Sequence, residues 1–493
     1  MQNIIKSTRL FFNTPFTYSI NIQVAVIIGI YLLVNLNPLL GIATLAFLMF
    51  GYWPLYKEQG ATAFNRYEWW FALFIPLAIF AGMAIWIRPI ASDDLLRDII
   101  VGHYYNFDYS ALYPISSIPV VNMWYGFDHA LAWLCQYLPK LWVMWTVQSI
   151  AFASMVVVVA LIAKRLLKDY PDQAFWVGIV VTSAIALSEF RLFLGRREIF
   201  LSIWAVAALL VRSNREAVLW VLVGLLMTTC YWLAFLYFVA AAMFLTSRRT
   251  RLIAFSILMI WHSTFWFGMY GAEYWKAFTW LYHVLNNQVA EVGENLSLVI
   301  YLKQPIFVIA AALCLYGLRI SNSPRLLPLV AVMIFFIGSN QVRYIGVIGP
   351  LMILLALNLW LHRLPRLTNS IKVTASASCV AVMCFSASHI ASVDDSPKFQ
   401  LPEHARVLTA FSHATYAVPF FSPGVQAEPS FAIGAAPKDV QTLSFNIAQG
   451  KEVDCEILHK HGFTHVVEKT MVAVPECMAL ISVHKEWRLW NVK

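Results

Sequence analysis

Two adjacent carboxylates, Asp93 and Asp94, stand in the stretch IRPIASDDLLRDI, directly after a long apolar segment. Neighbouring carboxylates repel unless a cation, a guanidinium or a shared proton compensates, and such a pair suits a general base or a metal ligand. The structural alternative is a helix start, with Ser92 or Asp93 as N-cap and Asp94 favoured by the helix dipole. A second cluster, FRLFLGRREIFLS, gathers Arg191, Arg196, Arg197 and Glu198. Guanidinium groups match phosphate oxygens in charge and shape, although arginines beside a bilayer also reach lipid head groups. Further candidates are Glu273 and Lys276 among Tyr270, Tyr274, Trp275 and Trp280, then Arg343 and Tyr344 in GSNQVRYIG, and His103. Charges interleaved with aromatics suit a sugar or a lipid head group, and aromatic belts at a membrane interface look the same. His103, Asp108, Asp128 and His129 lack zinc spacing, so no histidine metal site is expected.

The elements that must hold these residues are set by composition. The chain has 493 residues, 60% of them hydrophobic and 12% charged, with a mean hydropathy of +0.67. A soluble fold carries about a quarter charged residues, so lipid is the expected solvent. Apolar segments near 20–35, 38–56, 69–87, 141–163, 174–190, 199–211, 217–230, 231–246, 252–269, 300–317, 326–338, 344–361 and 371–390 predict about thirteen crossings. Basic residues fall in alternate connections: Lys6 and Arg9, Lys57 and Arg66, Lys164, Arg165 and Lys168, Arg212 and Arg215, Arg248, Arg249 and Arg251, Arg319 and Arg325, and Arg363, Arg366 and Lys372. That alternation places the N-terminus in the cytoplasm, as the positive-inside rule requires. The net charge of +9 is therefore read as a topology signal, and no nucleic-acid partner is expected.

The expected fold is a polytopic α-helical membrane domain over 1–390 with outer loops 88–140 and 270–299, followed by a small outer α/β domain over 391–493. In the first loop WYGFDHALAWLCQYL carries Trp124, Phe127, Leu131 and Leu134 at helical spacing, which predicts a helix lying in the interface. In the C-terminal domain ARVLTAF and HVVEK read as strands and CEILHKHGF as a short amphipathic helix. Cys455 and Cys477, the only cysteines of that domain, are a candidate disulfide if the compartment is oxidising.

This layout resembles the GT-C superfamily of membrane glycosyltransferases. The resemblance rests on an acidic pair (Asp93-Asp94) opening the first large outer loop, an arginine-containing outer segment, a C-terminal outer domain, and LGRREIFLS, which looks like the Arg-x-Glu-Phe-Ser-type stretch of several GT-C groups, though imperfectly. It implies transfer of a sugar from a polyprenyl-phosphate or -diphosphate donor to a glycan, lipid or protein (for example pilin-like) acceptor at the outer face of a bacterial inner membrane. One carboxylate of Asp93-Asp94 would be the general base. Arg191, Arg196, Arg197 and Arg343 would hold donor phosphate, with Glu198, His103, Glu273, Lys276 and Tyr344 at the substrates. No WWD-like motif occurs in the small outer domain, which favours a single sugar from a monophosphate carrier over transfer of a whole glycan, and inversion is expected because no second carboxylate is clearly placed as a nucleophile. A divalent Mg or Mn, if used, would fall to Asp94. The rival expectations are a glycan ligase or oligosaccharyltransferase with a diphosphate donor, and a transporter of lipid-linked sugars. A transporter binds near the midplane, whereas these charges gather at one face.

Overall fold

The computed structural model describes residues 93–166, 195–286 and 393–493, except for 212, 236, 239–244, 246, 247, 411, 431, 432 and 471–474. Arg191, Arg343, Tyr344 and eight of the thirteen candidate spans lie outside the described residues.

The first described stretch is helical. It contains α1 (Asp93–Tyr104), a single turn α2 (Tyr109–Leu112) and α3 (Tyr125–Cys135), and leads into α4 (Lys140–Leu166). The α2 turn is capped by Asp108, whose carboxylate accepts from the Ser110 backbone N–H at 2.8 Å. Further on come α5 (Arg197–Ala207), α6 (Asn214–Thr229), α7 (Arg248–Tyr270) and α8 (Glu273–Asn286). A capping box starts α6: the Ser213 hydroxyl accepts from the Glu216 N–H, and the Glu216 carboxylate accepts from the Ser213 N–H. The helix stops at Thr229 and the chain turns through 230–234, so 217–246 is not one continuous helix.

Helices α5, α6 and α7 close on one another around Gly224, where an added Cβ would lie 2.6 Å from Trp204 and 2.8 Å from Leu258. The Trp204 and Trp220 rings stack at 4.5 Å. Each indole N–H donates to the other residue's carbonyl at 2.9 Å. The outward faces remain apolar, with Leu219 and Leu226 of α6 and Leu252 and Ile260 of α7 exposed. Among the described residues one helix, Arg249–Tyr270, is long and apolar enough to cross a membrane by length and composition.

The stripe on α3 does not lie outward as the interfacial expectation had it. Trp124, Phe127 and Leu131 are buried and pack into the same core as α1, while Trp133 on the opposite side is exposed. A stripe at helical spacing specifies a buried face but not what buries it. Here a neighbouring helix does so in place of lipid.

The C-terminal residues form a five-stranded sheet in the order β2-β1-β3-β5-β4, built from β1 (Arg406–Thr409), β2 (Gln426–Glu428), β3 (His465–Glu468), β4 (Met478–His484) and β5 (Trp487–Val492). Strand β1 runs parallel to β2 and β3, and β5 is antiparallel to β3 and β4. Helix α9 (Ser412–Phe421) connects β1 to β2, and α10 (Lys438–Ala448) with α11 (Cys455–Lys460) connects β2 to β3. The period-2 alternation of a strand sorts the side chains. Val407 and Val467 join the cluster containing Ala414 and Val418 of α9, whereas Leu408 and Val466 join Val440, Leu443 and Leu458 of α10 and α11. Strands β1 and β3 are thus covered on both faces, as parallel strands require. Cys455 and Cys477 form a disulfide, with Cα atoms 6.0 Å apart.

Candidate functional site

Helix α1 places Asp94, Arg97 and Asp98 on one face, because residues three and four apart are neighbours along a helix. Opposite them stands the start of α5. Gly195, with φ of +65° and an added Cβ only 3.0 Å from Gln148, lets the chain turn tightly against α4 and enter the helix with Arg196 and Arg197 foremost. Cations at a helix N-terminus oppose the helix dipole, so this arrangement needs acidic partners. Asp94, Asp98 and Glu198 supply them.

The contacts form one continuous network. Asp98 is completely buried and receives Arg97 on one oxygen, Nη2 at 2.6 Å and Nε at 2.9 Å, and Arg197 Nη1 on the other at 2.8 Å. Asp94 lies further out, its side chain 14% exposed, with Arg97 and Arg196 each 3.4 Å and Arg197 3.5 Å away. Arg197 also pairs with Glu198 at 3.3 Å. The guanidinium carbons of Arg97 and Arg197 each lie 4.1 Å from the Trp124 ring centre, and Tyr416 of α9 is 5.7 Å from Arg97. Cation–aromatic contacts of this kind strengthen once water is removed. Burial opposes the charge on Arg97, yet Asp98 and Asp94 outweigh it and hold its pKa well above the usual value. Asp98 is itself raised by burial, against the pull of Arg97 and Arg197.

Behind this layer, Tyr109 donates to Asp128 at 2.7 Å and stands 3.5 Å from Asp98. Burial, then the Asp98 carboxylate, holds the fully buried Asp128 carboxyl well above the ordinary carboxylate range. In front of Asp128, three acids, Asp94, Asp98 and Glu198, face three arginines, Arg97, Arg196 and Arg197. That balance makes burial of so many charges tolerable.

The accessible edge of the cluster is Asp94 and Arg196, while Arg97, Asp98, Arg197 and Glu198 form its buried floor. Among the described residues the buried Glu198 Oε2 and Arg197 Nε atoms have no hydrogen-bond partner, which leaves one acceptor and one donor unused in the floor of the cluster. Both Asp94 oxygens face guanidinium groups, a surrounding that suits an anion and does not suit a divalent cation, so no step is assigned to Mg or Mn. Among the described residues no group of three or more His, Cys, Asp or Glu side chains could hold a metal.

Of the residues singled out in sequence, Asp94, Arg196, Arg197 and Glu198 are brought together. The Asp93 backbone opens α1. His103 is exposed at the far end of α1 against Tyr104, and Glu273 and Lys276 pair with each other on the exposed side of α8, so these three do not join the cluster. Arg97, Asp98 and Tyr416 are not among the residues singled out in sequence, and Trp124 enters there only as part of an apolar stripe. For the first two the signal lies in DDLLRD, whose acid-x-x-Arg-acid spacing puts three charges on one helix face. No protein-family model matches the chain, and no curated protein matches it in sequence.

Proposed function

We propose that the chain is a membrane glycosyltransferase that moves one sugar from a polyprenyl-phosphate donor to an acceptor hydroxyl at the outer face. The observation that carries this reading is the pairing of Asp94 on α1 with Arg196 and Arg197 on α5: Asp94 and Arg196 stand at the accessible edge of a charge-balanced cluster, and Arg197 backs them from its buried floor. A hydroxyl attacking an anomeric carbon must lose a proton, which suits Asp94, and the departing phosphate must be stabilised, which suits Arg196. Inversion follows in this reading from direct attack opposite the leaving phosphate. Trp124 and the buried arginines would hold both groups in place, since positioning accounts for much of catalysis.

Membrane placement is supported by direction. The starts of α4 and α5 and the ends of α6 and α7 gather beside the first outer segment. Lys140 donates to Phe420 O at 2.7 Å, Trp232 N–H donates to Met123 O at 2.9 Å, and Asn122 N–H donates to the Tyr270 hydroxyl at 3.3 Å. The opposite ends carry Lys164 and Arg165, Arg215, and Arg248, Arg249 and Arg251, the residues expected on the cytoplasmic side. The outward apolar rows of α6 and α7 then face lipid.

Charge reversal tests the donor assignment. Arg196→Glu in full-length protein in lipid nanodiscs is expected to weaken binding of a polyprenyl-phosphate sugar by roughly tenfold to a hundredfold, as one lost charge-assisted contact implies. Unchanged donor affinity would remove Arg196 from the phosphate site.

A further inference from the structure

The C-terminal unit is fastened to the site by more than its connection to the chain. Glu428, the last residue of β2, is fully buried. Its Oε1 accepts from the backbone N–H groups of Ile115 at 2.8 Å and Ser116 at 3.0 Å, and its Oε2 accepts from the Ser116 hydroxyl at 2.6 Å. Three donors from one short loop therefore converge on a single carboxylate. Ile115 itself packs against the C-terminal core beside Leu408 and Ala410. The next residue, Ser117, donates its N–H to Ala435 O at 2.9 Å and receives the Trp280 indole N–H of α8 on its carbonyl. The loop 113–118 thus lies at the carboxyl ends of β1 and β2, the side of a parallel sheet where loops ordinarily gather around a ligand.

A second contact lies closer to the chemistry. Helix α9 runs against α1: Tyr416, Ala417 and Phe420 belong to the core that also contains Leu95, Leu96 and Ile99 of α1. Tyr105, just past the end of α1, donates its hydroxyl to Val425 O, and Tyr416 faces Arg97. The helix that carries Asp94 and Asp98 is therefore gripped by the C-terminal unit along its side and at the loop that follows it.

We propose that the C-terminal unit is a built-in clamp on the site helix, with Glu428 as a positioning residue that captures the Ile115 and Ser116 N–H groups and the Ser116 hydroxyl. In its catalytic consequence the proposal rests on the glycosyltransferase reading; in its physical consequence it does not. Glu428→Gln keeps the side-chain volume and one oxygen for the two N–H groups, but it removes the charge that strengthens all three hydrogen bonds and turns an NH2 toward the Ser116 hydroxyl, which must then accept.

Hydrogen–deuterium exchange on the full chain in lipid nanodiscs separates the two consequences. In Glu428→Gln, peptides covering 93–104 and 113–118 are expected to exchange faster by roughly tenfold, the scale of losing charge-assisted hydrogen bonds. Peptides covering β3 and β5 should keep their protection. Ser116→Ala, which removes one hydrogen bond and leaves the carboxylate in place, should give a smaller increase in the same two peptides. The clamp is overturned if 93–104 is unchanged in both variants, or if faster exchange is confined to 393–493. Faster exchange at 93–104 in a protein that transfers no sugar even before substitution would sustain the clamp and sink the glycosyltransferase reading.

Discussion

Asp94→Asn is expected to lower sugar transfer by about a hundredfold to ten-thousandfold, the usual contribution of a general base, while the protein assembles and unfolds much as before. The reason lies in where Asp94 sits. Its contacts with Arg97, Arg196 and Arg197 are all 3.4–3.5 Å long and its side chain keeps some exposure. These contacts are longer than the 2.6–2.9 Å bonds to Asp98 and lie nearer the surface, so losing the Asp94 charge costs less than losing that of Asp98. Asparagine fills the same volume and still accepts hydrogen bonds, but it cannot take a proton from an attacking hydroxyl. Transfer rates and thermal unfolding measured on the same preparation check this. A variant that transfers at the native rate would end the general-base assignment, and one that fails to assemble would show Asp94 to be structural.

Asp98→Asn should do the opposite and act first on stability. Asp98 is completely buried and takes 2.6–2.9 Å hydrogen bonds from two guanidinium groups. Removing its charge leaves Arg97 and Arg197 buried with one fewer anion between them. Breaking a buried charge pair by losing one partner costs about 3–5 kcal/mol. That is a large fraction of the net stability of a domain, so accumulation in the membrane should fall along with the unfolding temperature. Adding Arg97→Met to Asp98→Leu should recover part of the loss, because replacing a buried ion pair with apolar side chains is often close to neutral. Single and double variants with the same unfolding temperature as the parent would show that the buried floor of the cluster carries no such energy. The contrast between neighbours on one helix face separates chemistry at Asp94 from support at Asp98.

Much of this arrangement is readable in the residues themselves where the cause is local. The strands at 406–409 and 465–468 and the helix at 455–460 fall where ARVLTAF, HVVEK and CEILHKHGF place them, since period-2 and period-3.6 patterns are local properties. Helix α6 begins where Ser213 and Glu216 can cap it and stops before Cys230. Asp94 was conspicuous because an acidic pair after an apolar segment breaks the membrane rule, and Arg196-Arg197 because two cations there break the charge alternation. The roles of Arg97 and Asp98 were legible only in part. Their spacing to Asp94 is in the sequence, but the partner that buries them, Arg197, lies 99 residues further on. The helical stripe marks Trp124 as apolar-facing but not as the ring beside two arginines, and nothing local marks Tyr416 and Glu428 as facing residues near 97 and 116. Those contacts join segments separated by about three hundred positions and arise only when the C-terminal sheet is assembled. For the same reason the α3 stripe was assigned to lipid: its pattern specifies an apolar neighbour and does not say which.

The central claim is that this chain adds a sugar at the outer face through Asp94. The most direct measurement is mass spectrometry of surface glycans and glycoproteins from three otherwise identical strains: one with the chain, one without it, and one complemented with Asp94→Asn at matched membrane abundance. The account predicts that a species present with the native chain is lighter by the mass of one sugar in both of the other strains. Identical masses in all three would contradict it, as would full restoration by Asp94→Asn.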